Sequence, residues 1–304
     1  MVKTIEKTNV KARKSHAKVN FKTKIEPYIY LFPCLFIFIG FTYFPFIKTI
    51  YISLFNTDAV GRIRSFIGLS NYIELLKSPS FINSIVVTFK FVALTTIPSI
   101  ILGLITALLV NNKLKFRNVF STMYAIPMAV SSASAAIIWL LLFNPSIGFI
   151  NYIFNLRIKW LADPHFALIA VAIVTVWMNM CVNFIFISAG LKSVPKELCE
   201  SACIDGANYF ETLKNVILPC LSPTLFFVLV IDVIDAFQTF GQINIMTLGG
   251  PGETTNVLVY SIYRNAFFNN RFSLASAQSI ILFFIMLVIT LIQFRYEKKK
   301  VFYS

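Results

Sequence analysis

Residues 200–219 read ESACIDGANYFETLKNVILP, a polar stretch that lies between two long apolar runs. The run before it, residues 167–189, carries no charged side chain, and the run after it, residues 221–246, carries only two. A helix needs about 20 mostly apolar residues to cross a bilayer. The polar stretch is therefore predicted to join two membrane-spanning helices.

The whole chain shares this apolar character. Of its 304 residues, 57% are hydrophobic and 13% are charged, against about 25% charged in a typical soluble domain. Uncharged runs of this length favour helices over the alternating segments of an outer-membrane barrel. The predicted fold class is all-α, a polytopic membrane helical bundle of about six transmembrane helices. The expected spans are 28–50, 86–110, 119–142, 167–189, 221–246 and 275–294.

The basic residues predict how this bundle is oriented. Most of the 27 Lys and Arg side chains fall in the first 26 residues, after the second span, after the fourth span and at the C-terminus. Positive charge collects on the cytoplasmic side of membrane proteins. Both termini and the polar stretch are therefore expected in the cytoplasm, and the net charge of +14 needs no nucleic-acid partner. It also allows binding of anionic membrane lipid.

Two segments are expected on this basis. Residues 1–26 form a basic cytoplasmic tail, too long and too polar for the start of a cleaved signal peptide. Such a tail is expected to be disordered or surface-associated until a partner orders it. Residues 27–304 form the transmembrane domain.

The polar stretch itself predicts two short helices separated by a turn. Pro195 and Glu197 mark the start of the first, because proline and an acidic side chain suit the first helical turn. This helix is expected to run to about Ile204. Gly206 then supplies the left-handed backbone that ends a helix.

The second short helix is expected to begin after Asn208, which forms a capping box with Glu211, and to end at Pro219. Helices of about ten residues are marginal in water on their own. Tyr209 and Phe210 add aromatic surface to the second one. The pair therefore predicts docking into the groove of a partner protein, and the alternative is an ordinary loop whose helical pieces lie on the membrane.

The spacing within this stretch resembles the EAA loop of the permease subunits of bacterial ABC importers. That pattern is Glu-Ala-Ala, three residues, Gly, nine residues, Ile, one residue, Leu-Pro. Ser201 and Val216 depart mildly from it. The resemblance implies that residues from about 193 to 219, the coupling loop, dock on a separate ATPase. The coupling residues it implies are Glu200, Ala202, Asp205, Gly206, Leu218 and Pro219.

Other segments extend the resemblance to the carbohydrate-type permeases, and specifically to the larger partner of two-permease sugar importers related to the maltose and glycerol-phosphate systems. They are residues 68–72, 143–151, 160–164 and 246–263. Gly241 departs from the pattern, because many relatives carry Asp there, and this puts substrate recognition in doubt.

The resemblance implies a bacterial inner-membrane subunit that alternates between outward and inward access. Its implied partners are a second permease subunit in a heterodimer, two cytoplasmic ATPase subunits, an extracellular solute-binding protein and a sugar or oligosaccharide. ATP and Mg would be used by the ATPase, with no cofactor in this chain. The sequence has no Gly-x4-Gly-Lys phosphate loop, which fits a transport subunit rather than an enzyme.

Acidic residues at membrane depth are candidates for the substrate pathway. Asp232 and Asp235 are three residues apart and so share a helical face, which Gln238 extends. Ionisable groups in a membrane are costly and usually face a cavity. These side chains either hydrogen-bond sugar hydroxyls or pair structurally with Lys90 or with another chain.

Three further polar residues are candidates with equally open alternatives. Asn179 and Asn183 lie at i and i+4 on one face of the fourth span, where amides either contact sugar or join helices. Tyr124 aligns with a sugar-lining tyrosine of maltose-type permeases, and the alternative is an interfacial tyrosine of the aromatic belt.

The alternative functions are a permease for glycerol-phosphate or another polyol, or a proton-coupled secondary transporter with Asp232 and Asp235 as relay carboxylates. The acidic pair disfavours an anionic substrate. The two histidines, His16 and His165, lie outside the spans and support neither catalysis nor a metal site. No metal is expected.

Overall fold

The computed structural model describes residues 21–111 and 117–300. The expected basic tail lies outside the described residues as far as position 20. Its last six positions were expected to be disordered or surface-associated, but they already belong to the first helix, which begins at Phe21. Lys and Glu are good helix formers, so the polar residues before the apolar run prolong the helix.

The described chain divides into two compact units at Lys48. The first unit consists of α1 (Phe21–Phe38), a π-helical turn (Ile39–Tyr43) and the start of α2 (Phe44–Ser53). In the π turn, the N–H of Phe44 donates to the carbonyl of Ile39, five residues back. This wider turn precedes Pro45 and keeps the helix running past a residue that has no N–H.

The second unit begins with an antiparallel hairpin that the all-α prediction did not contain. Its strands are β1 (Phe55–Thr57) and β2 (Ile63–Phe66). Asp58 closes the turn, because its carboxylate accepts the N–H groups of Val60 and Arg62. The hydrogen bond from Arg62 and the others around this carboxylate lower the pKa of Asp58 below its ordinary value.

The rest of the second unit is helical. Its α-helices in chain order are α3 (Ser70–Lys77), α4 (Pro79–Asn111), α5 (Arg117–Ala125), α6 (Ser132–Leu142), α7 (Phe149–Ile153), α8 (Ala167–Ser193), α9 (Lys196–Ile204), α10 (Tyr209–Thr212), α11 (Leu218–Phe237), α12 (Gly241–Met246), α13 (Leu258–Tyr263) and α14 (Phe272–Lys300). Further π turns occupy Leu213–Ile217 and Arg264–Phe268, and a 3-10 turn occupies Ile126–Ala129.

Within the described ranges, five helical segments are long and apolar enough to cross a membrane, and a sixth span arises if one bent pair is counted. That pair contains α5 and α6, which meet at 105°. The span predicted over 119–142 is therefore this bent pair and not one straight helix. Pro127 interrupts the helix, and Ser131 restarts it by accepting the N–H of Ser134.

The fifth span is also interrupted. Within the predicted span 221–246, α11 ends at Phe237 and α12 begins at Gly241. The hydroxyl of Thr239 donates to the carbonyl of Asp235 at this break. The remaining spans fall where the apolar runs place them, with helix ends a few residues longer than predicted.

Close packing of α4 on α8 forms the centre of the second unit. A Cβ placed on Gly103 of α4 would lie 2.6 Å from the Cβ of Asn183 on α8. Small residues allow membrane helices to approach this closely. Five hydroxyls on the buried face of α4 donate back to carbonyls of their own helix, so the face offers few free polar groups.

The loop between α12 and α13 is tied to the start of α4 by a polar network. Glu253 accepts from Arg264 at 2.6 Å and from Ser80 at 3.0 Å, and its carbonyl accepts from Asn83 at 3.0 Å. Partial burial opposes ionisation of Glu253, but these hydrogen bonds and the charge of Arg264 outweigh it. The pKa of the Glu253 carboxyl is therefore lowered below its ordinary value.

Gly103→Ala is expected to lower the thermal stability of the detergent-solubilised protein, because the added methyl overlaps Asn183. Overpacking of this kind costs about 1–3 kcal/mol. The matched control is Gly40→Ala, since a Cβ at Gly40 has no atom within 4 Å and alanine suits a helix better than glycine. Equal melting temperatures for the two variants would contradict the close contact of α4 and α8.

Glu253→Gln is expected to loosen the loop between α12 and α13, measured as faster amide hydrogen exchange at Thr254 and Asn256. Loss of one half-exposed ion pair predicts about fivefold faster exchange, or about 1 kcal/mol. The control is Glu74→Gln, which breaks the more exposed pair with Arg271 and should leave these amides unchanged.

The same network sets a pH dependence. Because the folded state lowers the pKa of Glu253, its contribution is complete above the ordinary value of 4.5. It is lost as the pH falls through the lower folded value. As the pH falls, amide exchange in the native protein should approach that of Glu253→Gln. If the difference between the two proteins is the same in acid as at neutral pH, the carboxylate does not hold the loop between α12 and α13.

Candidate functional site

The coupling loop begins where α8 ends. The hydroxyl of Ser193 donates to the carbonyl of Gly190 at 2.7 Å and so still belongs to α8. Val194 and Pro195 are extended, and α9 begins at Lys196 with Glu197 in its first turn. The predicted helix start is confirmed, with Pro195 as the residue just before the helix.

A glycine turn ends α9 as the sequence predicts. The N–H of Gly206 donates to the carbonyl of Cys203 at 3.1 Å, and the N–H of Ala207 donates to that of Ala202 at 2.9 Å. This is the Schellman arrangement, which needs a left-handed residue at the turn. Gly206 has a φ of +83°, and a Cβ there would meet no atom within 4 Å. The backbone angle, and not lack of space, therefore requires glycine.

The second helix of the loop begins as predicted and ends differently. Asn208 accepts the N–H of Glu211 at 3.0 Å, and Glu211 accepts the N–H of Asn208 at 2.7 Å, which confirms the capping box. The prediction that Pro219 stops this helix is wrong. A π turn over Leu213–Ile217 connects α10 to α11 without a break.

The geometry of that π turn explains why Pro219 is tolerated. The N–H of Leu218 donates to the carbonyl of Leu213, five residues back. The extra residue in the turn relieves the clash that proline would make with the preceding turn of a regular helix. As a result, continuous helix joins the coupling loop to the fifth span.

No residue of the coupling loop from Val194 to Cys220 is fully buried, and most of those from Pro195 to Glu211 are exposed, whereas the segment from Thr212 onward is largely half-buried. Ile204 is 86% exposed and Phe210 is 77% exposed. Glu200 is also exposed, and no described residue pairs with it. Apolar side chains held in the open on ordered helices mark a surface for another protein.

Two of the predicted pathway residues bind each other. Asn183 on α8 donates its amide to the carboxylate of Asp232 on α11 at 2.6 Å, and both side chains are buried. The structural partner of Asp232 is therefore Asn183 and not Lys90. The hydrogen bond joins the fourth span to the fifth.

The other predicted pathway residues are separate from this pair. Asp235 and Gln238 are exposed, so Asp232 does not share an open face with them as the sequence predicted. Gln238 borders an open groove of 490 Å³ between α11 and α14. Asn179 is half-buried, and the ring of Tyr124 lies 5.6 Å from the ring of Phe184. Among the predicted pathway residues, Asp235 and Gln238 are the ones whose side chains are exposed and accessible to a ligand.

Sequence reasoning missed the residue that positions the buried pair. Gly103 lets α4 approach Asn183 directly, but a single glycine in an apolar run carries little signal. Helical spacing assigned Asn183 and Asp232 to faces of their own helices. It could not show that these faces meet.

The described residues contain no group of three or more His, Cys, Asp or Glu side chains that could hold a metal ion. The coupling loop carries Cys199 and Cys203, of which Cys203 is exposed. Neither forms a disulfide in the described structure.

Comparison with known families and sequences gives a consistent result. Residues 99–301 match the model of the family described as binding-protein-dependent transport system inner membrane component. The chain is 37% identical to the sn-glycerol-3-phosphate transport system permease protein UgpA of Agrobacterium fabrum, over 94% of this chain and 99% of that protein. It is 33% identical to UgpA of Salmonella typhimurium, over 95% of this chain and 100% of that protein.

The fold is similar to that of a solved bacterial ABC transporter involved in import of the acidic polysaccharide alginate. The TM-score is 0.80 at 24% identity, over 91% of this chain and 96% of that one. A complex of that transporter with an alginate pentasaccharide-bound periplasmic protein gives a TM-score of 0.81.

Proposed function

This chain belongs to the family of binding-protein-dependent transport system inner membrane components, and from this premise we propose how it couples ATP hydrolysis to import. The protein is the membrane permease subunit of an ABC importer, with several membrane-spanning helices. It is a transport component, and the ATPase is a separate subunit. The finer assignments below concern its docking surface, its partners and its substrate.

The coupling loop is the docking surface for the ATPase. The observation that carries this proposal is the exposed, ordered loop, with its Schellman turn at Gly206 and the open side chains of Ile204 and Phe210. Two helices this short gain stability when they pack in a partner. Glu200 is the charged anchor, because it is exposed and no described side chain pairs with it.

The connection between loop and span transmits the motion. Closure of two ATPase subunits on ATP and Mg displaces α9 and α10, and the π turn passes the displacement to α11. The hydrogen bond from Asn183 to Asp232 then moves α8 with α11. Because these are two of the spanning helices, their joint movement opens the pathway to one side and closes it to the other.

The assembly comprises this chain, a second permease subunit, two ATPase subunits and an extracellular solute-binding protein. Positive charge on the side of the coupling loop supports placing the loop and both termini in the cytoplasm. The opposite loops, including the loop held by Glu253 and Arg264, then face the binding protein.

The substrate class that the exposed pathway residues favour is a neutral carbohydrate. Sugar hydroxyls donate to carboxylates and exchange hydrogen bonds with amides, and Asp235 and Gln238 offer both groups on the open side of α11. Asn179 and Tyr124 are further candidates. We assign Asn183 and Asp232 to positioning the helices, since each is buried and satisfied by the other.

Glycerol 3-phosphate is the second candidate substrate, because the similar UgpA proteins of Agrobacterium and Salmonella are glycerol-3-phosphate permeases. The exposed carboxylate of Asp235 repels a phosphate and so argues for the carbohydrate. A proton-coupled transporter acting alone does not fit an importer permease.

Glu200→Lys is expected to leave a folded membrane protein and to abolish co-purification of the ATPase, because it reverses the charge of the docking anchor. The measurement is ATPase yield per permease after affinity purification. The control is Asp163→Lys, which makes the same charge reversal at the opposite end of α8. Asp163 is separated from the coupling loop by the length of α8, about 40 Å. Normal ATPase yield with Glu200→Lys would remove the docking assignment.

The substrate is tested by ATPase activity of the reconstituted importer, stimulated by its binding protein across sugars, polyols and glycerol 3-phosphate. A sugar is expected to stimulate; stimulation by glycerol 3-phosphate alone would overturn the carbohydrate assignment. Asp235→Asn is expected to reduce transport about tenfold, as loss of one charge-assisted hydrogen bond, at unchanged melting temperature.

Asp232→Leu tests the structural role assigned to Asp232, as Asp235→Asn tests the substrate role assigned to Asp235. It leaves the buried amide of Asn183 unpaired, which costs about 1–3 kcal/mol, and should lower the melting temperature. The reverse outcome, with Asp232→Leu stable but inactive and Asp235→Asn fully active, would return Asp232 to the substrate pathway.

A further inference from the structure

A small polar cavity lies at the end of the helix bundle that carries the coupling loop. It has a volume of 160 Å³, is partly open to solvent, and is bordered by α4, α5 and α8. Six polar side chains line it: Asn111, Arg117, Asn118, Ser121, Ser188 and Lys192. The cavity is distinct from the candidate pathway residues, and the motif of the coupling loop does not include its lining.

The charge of this cavity has one sign. Arg117 on α5 and Lys192 on α8 both border it, and no carboxylate lies among its described lining residues. Neither cation forms an ion pair with any residue of the described chain. Two cations that border one cavity from different helices repel each other unless an anion lies between them.

The hydrogen-bonding groups that line the cavity are suited to the same kind of ligand, an anion. The hydroxyl oxygen of Ser188 is buried and has no hydrogen-bond partner in the described structure. A buried polar group without a partner costs free energy and calls for a bound molecule that satisfies it. Ser121 and Asn118 add a hydroxyl and an amide from α5 beside it. The tendency of positive charge to collect on one membrane side explains the cations but not this buried hydroxyl.

We propose that this cavity binds one phosphate group. The guanidinium of Arg117 can hold a phosphate through two parallel hydrogen bonds, and Lys192 adds a second positive charge. The hydroxyls and amides of the lining donate to the remaining oxygens. A water occupies about 30 Å³ of liquid, so the cavity has room for a single tetrahedral anion. The group is carried either by the headgroup of an anionic lipid or by a free phosphate.

The position of this phosphate site relates it to the coupling loop. A neighbouring cavity of 500 Å³ shares Asn111, Arg117 and Lys192 with it and is also lined by Glu200 and Lys196. A phosphate bound by Arg117 and Lys192 therefore neutralises two of the three cations that line this cavity with Glu200. Occupancy would leave the carboxylate of Glu200 free to anchor the ATPase.

The test uses the assembled importer in nanodiscs of phosphatidylcholine. One arm titrates inorganic phosphate at constant ionic strength, and the other replaces part of the lipid with phosphatidylglycerol. The readout is the melting temperature, together with native mass spectrometry of retained lipid or phosphate. The test variant is Arg117→Gln with Lys192→Gln. The matched control is Arg157→Gln with Lys159→Gln, which removes the same two charges from an exposed loop.

Phosphate or phosphatidylglycerol is expected to raise the melting temperature of the native importer and of the control. The test variant should need more than about tenfold more ligand, because tenfold is the loss expected for one charge-assisted hydrogen bond and the variant removes both cations. Stabilisation by phosphatidylglycerol alone identifies a lipid headgroup, and stabilisation by inorganic phosphate identifies a free anion.

Ser188→Ala separates a binding role from a structural one. It removes the unpaired hydroxyl, so the ligand-free importer should be no less stable, while half-saturation should need more ligand. If neither phosphate source stabilises the native importer, or if the test and control variants respond alike, the cavity holds only water and the proposal is overturned. The proposed function as an importer permease would stand after that result, because it does not depend on phosphate binding.

Discussion

The lack of water inside a bilayer is the constraint on which the rest of this structure depends. Every backbone N–H and C=O at membrane depth must find its partner within the protein, and helices satisfy this requirement locally. The irregular places in the spans obey the same rule. The N–H groups of Phe44 and Leu218 bond five residues back, each just before a proline. At the break after α11, the hydroxyl of Thr239 donates to a helix carbonyl.

The contact of α4, α8 and α11 follows from a second consequence of the same solvent. Lipid does not drive apolar helices together, so close backbone approach and polar pairs do so. Gly103 provides the approach, and the hydrogen bond from Asn183 to Asp232 provides the polar pair. The two features meet at one residue, Asn183. Asn183 and Asp232, both candidates for substrate binding from the sequence, therefore join the fourth span to the fifth. Asp235 and Gln238 remain on the exposed side of α11.

The coupling loop is stabilised differently from the membrane spans. It lies outside the apolar spans and is held by caps and turns whose chemistry is local: the Schellman turn at Gly206 and the capping box of Asn208 with Glu211. These bonds define its shape, while the side chains of Leu198, Ile204, Tyr209 and Phe210 remain exposed. The loop is therefore ordered enough to be recognised by a partner protein. Its helical connection to α11 relates this docking surface to the membrane pathway, and the phosphate site near Glu200 offers a second influence on the same anchor.

The sequence by itself determined the membrane class, the positions of most spans and the local form of the coupling loop. These depend on apolar run length, cap residues and glycine, all of which act over a few neighbouring residues. It did not determine the bend of α5 against α6, the continuous helix through Pro219, or the hairpin at Asp58. Nor did it show that Asp232 binds Asn183, or that Arg117, Ser188 and Lys192 share a cavity. Those outcomes were decided by tertiary structure, because helical periodicity gives the face on which a side chain lies but not the helix that it meets.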